Sequence, residues 1–201
     1  MAIEFRSDCY GRGFDQEAGK WARSPNIIDS EPPRPYGTLE STITMTYQST
    51  KTYGHDVGLS TAFRQWTALS HCHFLHGYAL AVRFVFEADE LDANNWCIDF
   101  GGMKSLKQWL HDTFDHKTVV AQDDPSIEWF REGQRIGTLD LIELPATGCE
   151  KFAEFIYAAA QAWMDANGYS PRCRLVSVEV IEHGANSALF AKSSGAHNVP
   201  G

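Results

Sequence analysis

Hydrophobic and polar residues alternate along residues 75–88, which predicts the longest strand of the chain. The even positions are apolar or aromatic, whereas the odd positions include Arg83 and Glu87. Because successive side chains of a strand point to opposite faces, one face of this strand is expected to be buried. His76 and Tyr78 lie at the leading end of that face.

Three further segments have the composition of strands, since β-branched and aromatic residues fit a pleated, half-buried surface. They are residues 42–55, 174–182 and 188–191, and residues 58–70 are expected to form a loop. In the second of these strands Glu182 continues a face of three valines, so its carboxylate would point to the interior or to a pocket edge and need a partner there. If the strand ends earlier, Glu182 lies in solvent.

Helical spacing predicts two long helices and a short one. The first carries an apolar stripe from Met103 to Phe114, the last covers residues 150–166, and the short helix covers residues 126–132. This order of strands and helices is typical of an α+β domain with an antiparallel sheet, which we assign to residues 42–192.

The two ends of the chain lack this regularity. Residues 1–41 are rich in glycine and proline and predict an extension of uncertain structure, and residues 193–201 predict a flexible tail. Met45 opens the regular segment and is an alternative start of the natural protein. A length of 201 residues favours one domain with an extension.

Composition narrows the class of protein. The net charge of −9 argues against nucleic acid as the main partner, because a phosphate backbone requires a cationic surface. The sequence contains no apolar run long enough to predict a membrane span and no signal-peptide pattern at its start, so we expect a cytoplasmic protein. Its five cysteines form no CxxC pair, which predicts reduced thiols.

Histidines and one cysteine cluster before and at the start of the longest strand. Four histidines, His55, His71, His73 and His76, lie close together in sequence, and a catalytic zinc ion usually has three protein ligands and one open position. Scattered surface or core histidines are the alternative. Cys72 lies in the same segment, where a thiolate beside a metal or an imidazolium can act as a base; its alternative role is that of a small buried apolar residue.

Asp115 and His116 follow the first long helix directly. A carboxylate that bonds one imidazole nitrogen fixes the tautomer and raises the basicity of the other nitrogen. Both residue types are also ordinary at helix ends, so this pair by itself is weak evidence for catalysis.

Taken in order, five segments resemble motifs of the 6-pyruvoyl-tetrahydropterin synthase family, which includes the bacterial 6-carboxy-5,6,7,8-tetrahydropterin synthases. The first, Cys72-His73-Phe74-Leu75-His76-Gly77-Tyr78, is similar to the family's Cys-x-x-x-His-Gly-His. The other four are residues 99–104, 114–116, 147–153 and 180–183. Each is weak alone, but their order and spacing over residues 45–191 are specific.

The resemblance implies a tunnelling-fold-like α+β architecture. It has a four-stranded antiparallel sheet with two helices packed on one face. Such sheets associate into an oligomeric barrel, here a homo-oligomer and by resemblance a hexamer, with sites at the subunit boundaries.

The resemblance also implies a zinc-dependent lyase that converts 7,8-dihydroneopterin triphosphate to 6-carboxytetrahydropterin, in the pathway to queuosine and 7-deazapurines. The alternatives are a 6-pyruvoyl-tetrahydropterin synthase and a metal-depleted pterin-binding protein without catalysis. An unrelated zinc hydrolase is disfavoured by the lack of a His-Glu-x-x-His segment.

Site roles follow from the same resemblance. The expected catalytic residues are Cys72, Asp115 and His116; the substrate-binding residues are Glu182, Thr147 and Glu150; and the ligands of Zn2+ are His55 and His76.

Two positions depart from the family pattern. Tyr78 replaces the second histidine of His-Gly-His, and a phenol with an ordinary pKa of about 10 is a poor zinc ligand at neutral pH. Tyr78 as a phenolate, or His71 or His73, would supply the third ligand, or metal binding is weak or lost. His183 replaces the family's threonine after the glutamate.

Overall fold

A computed structural model describes residues 14–15, 20–21 and 45–192. The chain divides into one unit of residues 1–42 and another of residues 43–201. In the first unit, β1 (Phe14–Asp15) pairs with β2 (Lys20–Trp21) in antiparallel orientation. The rest of the predicted extension, and the predicted tail, lie outside the described residues.

The second unit contains a seven-stranded sheet and three helices. The strands are β3 (Tyr47–Tyr53), β4 (Leu59–Phe63), β5 (His76–Ala88), β6 (Lys117–Ala121), β7 (Leu141–Leu144), β8 (Cys173–His183) and β9 (Asn186–Ala191). The helices are α1 (Lys104–Phe114), α2 (Ile127–Arg135) and α3 (Cys149–Ala166). The strand order is β7-β6-β4-β5-β8-β9, and β3 pairs with β5 beyond the end of β4.

The α+β class is confirmed, and the two long helices and the short one are present, but the prediction of a four-stranded antiparallel sheet is wrong because the sheet has seven strands. The sheet is mixed, because β6 runs parallel to both of its neighbours, β4 and β7. β4 also lies inside residues 58–70, which were predicted to be a loop. Strands of four or five residues contain too few alternations for a period to be recognised, which is why the sequence pattern did not separate them from loops.

The main core lies between the sheet and the two long helices. The even positions of β5 from Leu80 to Phe86 are buried, as the alternation predicts, while Arg83 is exposed. The helices pack against each other through Trp109 and Phe155, whose ring centroids are 5.6 Å apart. Full burial of a large apolar side chain stabilises the folded state by about 1.5–3 kcal/mol. The apolar face of β5 therefore determines which side of the sheet the two long helices cover.

The short helix α2 covers a different surface of β6. Val120 packs with Phe130 of α2 and with Leu141, whereas the neighbouring Val119 belongs to the main core. The last three residues of β6, Val119 to Ala121, are therefore buried on both faces of the sheet, which is why they form an apolar run and do not alternate.

No helix within residues 45–192 is both long enough and apolar enough to cross a membrane. Several of the expected site residues lie at the leading end of β5. There the segment between β4 and β5 carries Cys72, and β5 itself begins at His76.

Candidate functional site

Residues from three elements meet at the leading end of β5. Tyr78 of β5 lies close to the Glu182 carboxylate of β8 and to the thiols of Cys72 and Cys149. Burial, and then these three acidic groups, raise the pKa of Tyr78 above its ordinary value, because each disfavours a second negative charge. The Tyr78 phenol is therefore neutral near pH 7, which disfavours a phenolate ligand.

Glu182 has a protein partner at this site. β8 extends to His183, so Glu182 is still within the strand and is partly buried, as its valine face predicted. Cys149, the first residue of α3, is 7% exposed. Burial, and then the nearby Glu182 carboxylate, raise the pKa of the Cys149 thiol. The Cys149 thiol is thus neutral near pH 7 and lies near the Glu182 carboxylate.

Cys72 lies in a short turn, His71–His73, before β5. The hydroxyl of Ser70 accepts a hydrogen bond from the Cys72 amide at 3.4 Å, and the Cys72 carbonyl accepts one from the Gln65 amide at 3.0 Å. These bonds fix the backbone on both sides of a partly buried thiol that acts electrostatically on Tyr78. Cys72 and Glu182 thus both lie near enough to Tyr78 to act on the charge of its phenol.

Asp115 and His116 form the expected pair at the end of α1. The Nδ1 atom of His116 lies 2.7 Å from Oδ1 of Asp115, and the Ser60 amide donates to the same oxygen at 3.4 Å. Desolvation raises the pKa of Asp115, but the bonds from Ser60 and His116 outweigh it, so the pKa is lowered overall. His116 has a φ of 55° and its side chain is 85% exposed, so the imidazole is presented to solvent.

The Asp115–His116 pair shares an open cleft with Tyr78 but, among the described residues, makes no polar contact with Cys72 or Glu182. His116 lines an open cleft of about 510 Å³ between β4, β5 and β6. Within residues 45–192, no hydrogen bond or ion pair joins Asp115 or His116 to Cys72 or Glu182. In the described part of one chain, Tyr78 is therefore the cluster residue that lies on the same cleft as His116.

The two other expected substrate-binding residues flank the start of α3. The Thr147 hydroxyl donates to the Arg64 carbonyl at 2.5 Å, which ties the segment before α3 to the end of β4. Glu150 is exposed in the first turn of α3, where a carboxylate interacts favourably with the helix dipole.

The expected zinc ligands do not converge on one point. His55 lies in a turn after β3, and its Nδ1 is 2.5 Å from the Ala79 carbonyl. His76 and His73 use Nδ1 on the carbonyls of Phe74 and Ser70, at 2.8 and 2.6 Å. In the described part of the chain, no three His, Cys, Asp or Glu side chains are placed to hold a metal ion. This donor set does not fit a catalytic zinc ion with three protein ligands.

Phe63 is the site residue that sequence reasoning missed. It pairs with His76 across β4 and β5, and its ring centroid is 4.8 Å from that of His76 and 6.2 Å from that of Tyr78. The available signal was the alternation of Leu59, Thr61 and Phe63, which would have predicted a short strand in place of a loop.

A thiol, a carboxylate and a phenol at the ends of strands in a helix-covered sheet define a small-molecule site on an α+β domain. The chain belongs to the family described as 6-pyruvoyl tetrahydropterin synthase, whose model matches residues 54–193. This range includes β4, β5, all three helices and both groups of expected site residues.

Curated relatives carry the name 6-carboxy-5,6,7,8-tetrahydropterin synthase. The protein of Bacillus subtilis is 28% identical over 127 residues, which are 63% of this chain and 75% of the relative. The protein of Rickettsia conorii is 39% identical over 54 residues, which are 26% of this chain and 39% of the relative. The matched region thus spans well under half of the Rickettsia relative.

Solved structures share the fold. An uncharacterised protein from Wolinella succinogenes has a TM-score of 0.63 and 17% identity, and the match covers 74% of this chain and 99% of that one. The 6-pyruvoyl tetrahydropterin synthase of Plasmodium falciparum has a TM-score of 0.55 and 16% identity, with 73% and 98% covered. At these identities the likeness shows the fold alone.

Proposed function

We propose that this chain is a 6-carboxy-5,6,7,8-tetrahydropterin synthase-like lyase that acts on 7,8-dihydroneopterin triphosphate. The observation that carries the proposal is the partly buried Glu182 carboxylate, which acts on the pKa of Tyr78 together with the thiols of Cys72 and Cys149. The names of the curated relatives support the carboxy product.

Each side chain has a role that its surroundings support. A buried carboxylate requires donors, and the adjacent N–H groups of a pterin ring edge would supply two to Glu182. Cys72 would accept a proton from the substrate side chain, and loss of triphosphate would follow. The zinc ion implied by the family resemblance is given no step here, since the described donors do not fit it.

The Asp115–His116 pair would reach the substrate from a second subunit. The pair is fixed by a 2.7 Å contact, its imidazole is exposed, and no hydrogen bond or ion pair joins it to Cys72 within the described residues of one chain. A homo-oligomer, which the family resemblance predicts to be a hexamer, would place the His116 of one subunit near the Cys72 of another. Pairing through sheet edges would also cover the exposed strand edges of β7 and β9.

The proposal is tested by incubating the purified full chain with 7,8-dihydroneopterin triphosphate, with and without added zinc. Triphosphate release and the pterin product are measured by ion chromatography and mass spectrometry. Cys72→Ala is expected to lower turnover about 10²- to 10⁴-fold, the usual range for loss of a catalytic base, whereas Cys97→Ala, away from the site, retains activity. No triphosphate release by the folded wild-type chain in either condition would refute the proposal.

The second candidate function is a pterin-binding protein without catalysis. The rings of Phe63 and Tyr78 beside His76 favour it, because neither ring offers an imidazole nitrogen. This alternative predicts that isothermal titration calorimetry detects binding of a dihydropterin, but that the chain releases no triphosphate from 7,8-dihydroneopterin triphosphate. A 6-pyruvoyl product in the same assay would identify the remaining alternative.

A further inference from the structure

Three rings form a triangle at the leading end of β5. Phe63 of β4 lies opposite His76 in the sheet register, and Tyr78 lies two residues further along the same face. The ring centroids are separated by 4.8 Å for Phe63–His76, 5.8 Å for His76–Tyr78 and 6.2 Å for Phe63–Tyr78. Each ring therefore faces the same small volume.

The size of this triangle is that of a metal site with three imidazoles. Zinc binds imidazole nitrogens at about 2.0–2.1 Å, so three imidazoles around one zinc ion would have ring centroids roughly 5 Å apart. Only one corner of the triangle, His76, offers an imidazole nitrogen. Phe63 has no donor atom, is 1% exposed, and is held in place by Phe152 with ring centroids 5.1 Å apart.

The described residues provide no substitute for the two missing imidazoles at this site. Phe63 cannot rotate away without opening a cavity in the core, which costs about 3–5 kcal/mol for a phenylalanine side chain. In the described part of the chain, no three His, Cys, Asp or Glu side chains, His55 and His73 among them, are grouped so that they could hold a metal ion with His76. The three rings therefore have the spacing of three imidazole ligands, but two of the rings cannot bind zinc at neutral pH.

We propose that the site at the start of β5 operates without a bound zinc ion, because Phe63 and Tyr78 occupy two of the three ligand positions around His76. The inference concerns the same site as the proposed function and rests on it for the identity of the substrate, but the metal content can be measured without any substrate. Restoring imidazoles at the two positions should recreate a zinc site.

The test compares wild type with Phe63→His, Tyr78→His and the double variant. Each protein is produced with zinc in the medium and purified without chelator. Zinc per chain is measured by mass spectrometry, and the visible spectrum of cobalt-loaded protein reports tetrahedral coordination. We expect the wild type to hold far less than one zinc ion per chain, each single variant to bind weakly, and the double variant to approach about one ion per chain with a tetrahedral cobalt spectrum.

Two results would overturn the inference. One is a wild type with about one zinc ion per chain that His76→Ala abolishes; zinc that survives His76→Ala is bound elsewhere and leaves the inference standing. The other is a double variant that is folded by circular dichroism and thermal melting yet binds no zinc. A zinc-free wild type that releases no triphosphate would refute the proposed function alone. A zinc-loaded wild type that releases triphosphate would refute this inference alone.

Discussion

Glu182 illustrates how much a single side chain depends on strand geometry. Its position after three alternating valines predicted an inward carboxylate, and β8 does extend past it to His183. The partner that stabilises it, Cys149, comes from the start of α3, more than thirty residues earlier in the sequence. The carboxylate thus lies near the Cys149 thiol, and in our proposal it also accepts hydrogen bonds from the pterin.

Replacing Glu182 with glutamine should weaken pterin binding about 10- to 100-fold, because hydrogen bonds to a charged acceptor contribute about 1.5–3 kcal/mol. Isothermal titration with a dihydropterin measures the loss. Glu179→Gln, on the same strand but paired with Arg83, is the matched control and should bind normally. Equal affinity of the two variants would mean that Glu182 does not hold the ring.

A second buried carboxylate has a structural role. Asp124 has no exposed side-chain area and binds Arg64 through two contacts, at 2.5 and 2.7 Å, while its Oδ1 also accepts from the Ser126 amide. The hydrogen bonds from Arg64 chiefly lower the pKa of Asp124. This pair joins the end of β4, next to the site, to the start of α2.

Asp124→Asn should lower the free energy of unfolding by about 3 kcal/mol, since it leaves Arg64 without its counter-charge, whereas Asp123→Asn should change it little. Because the folded-state pKa of Asp124 lies below its unfolded value of about 3.9, its stabilisation is present above that pH and is lost on further acidification. Denaturant titrations at neutral and acidic pH measure both effects. If the free energies of unfolding of Asp124→Asn and Asp123→Asn still differ below the folded-state pKa of Asp124, this assignment is contradicted.

At the scale of elements, the close approach of β4 and β5 places Phe63 against His76. Gly77 permits it, because a Cβ atom at this position would lie 2.7 Å from the Thr61 carbonyl oxygen. The backbone oxygen of a paired strand cannot move aside as a flexible side chain would. The glycine of the motif is thus required by the packing of two strands.

Gly77→Ala is expected to destabilise the fold by about 1–3 kcal/mol, the usual cost of overpacking. Gly184→Ala, where an added Cβ would meet nothing within 4 Å, should be nearly neutral. Thermal melting of both variants makes the comparison. Equal melting temperatures would show that β4 and β5 separate at little cost.

At the scale of the whole molecule, the separation of Cys72 from the Asp115–His116 pair predicts a site that is shared between subunits. Cys72→Ala and His116→Ala should each be inactive alone. When they are mixed under conditions that allow subunit exchange, about a quarter of the sites in a ring should combine both intact residues and regain activity. Sedimentation should give a mass several times 22.5 kDa. An active monomer, or no recovery despite exchange, would contradict this arrangement.

The long periodic elements were predictable from sequence, and the short ones were not. The stripe from Met103 to Phe114 and the alternation after residue 75 repeat often enough to identify α1 and β5. β4 and β6 have only five residues each, and the parallel pairing of β6 with β4 is a long-range contact without a local signature. For this reason the sheet was predicted with too few strands and as purely antiparallel.

The sequence by itself determined the family, the inward direction of Glu182 and the Asp115–His116 pair, because motif order, strand parity and adjacency are local properties of the chain. Only the tertiary structure decided that Cys149 meets Glu182 and that Phe63, rather than His55, lies beside His76. These contacts depend on which strands pair and in what register, and a one-residue change of register would turn each side chain to the opposite face.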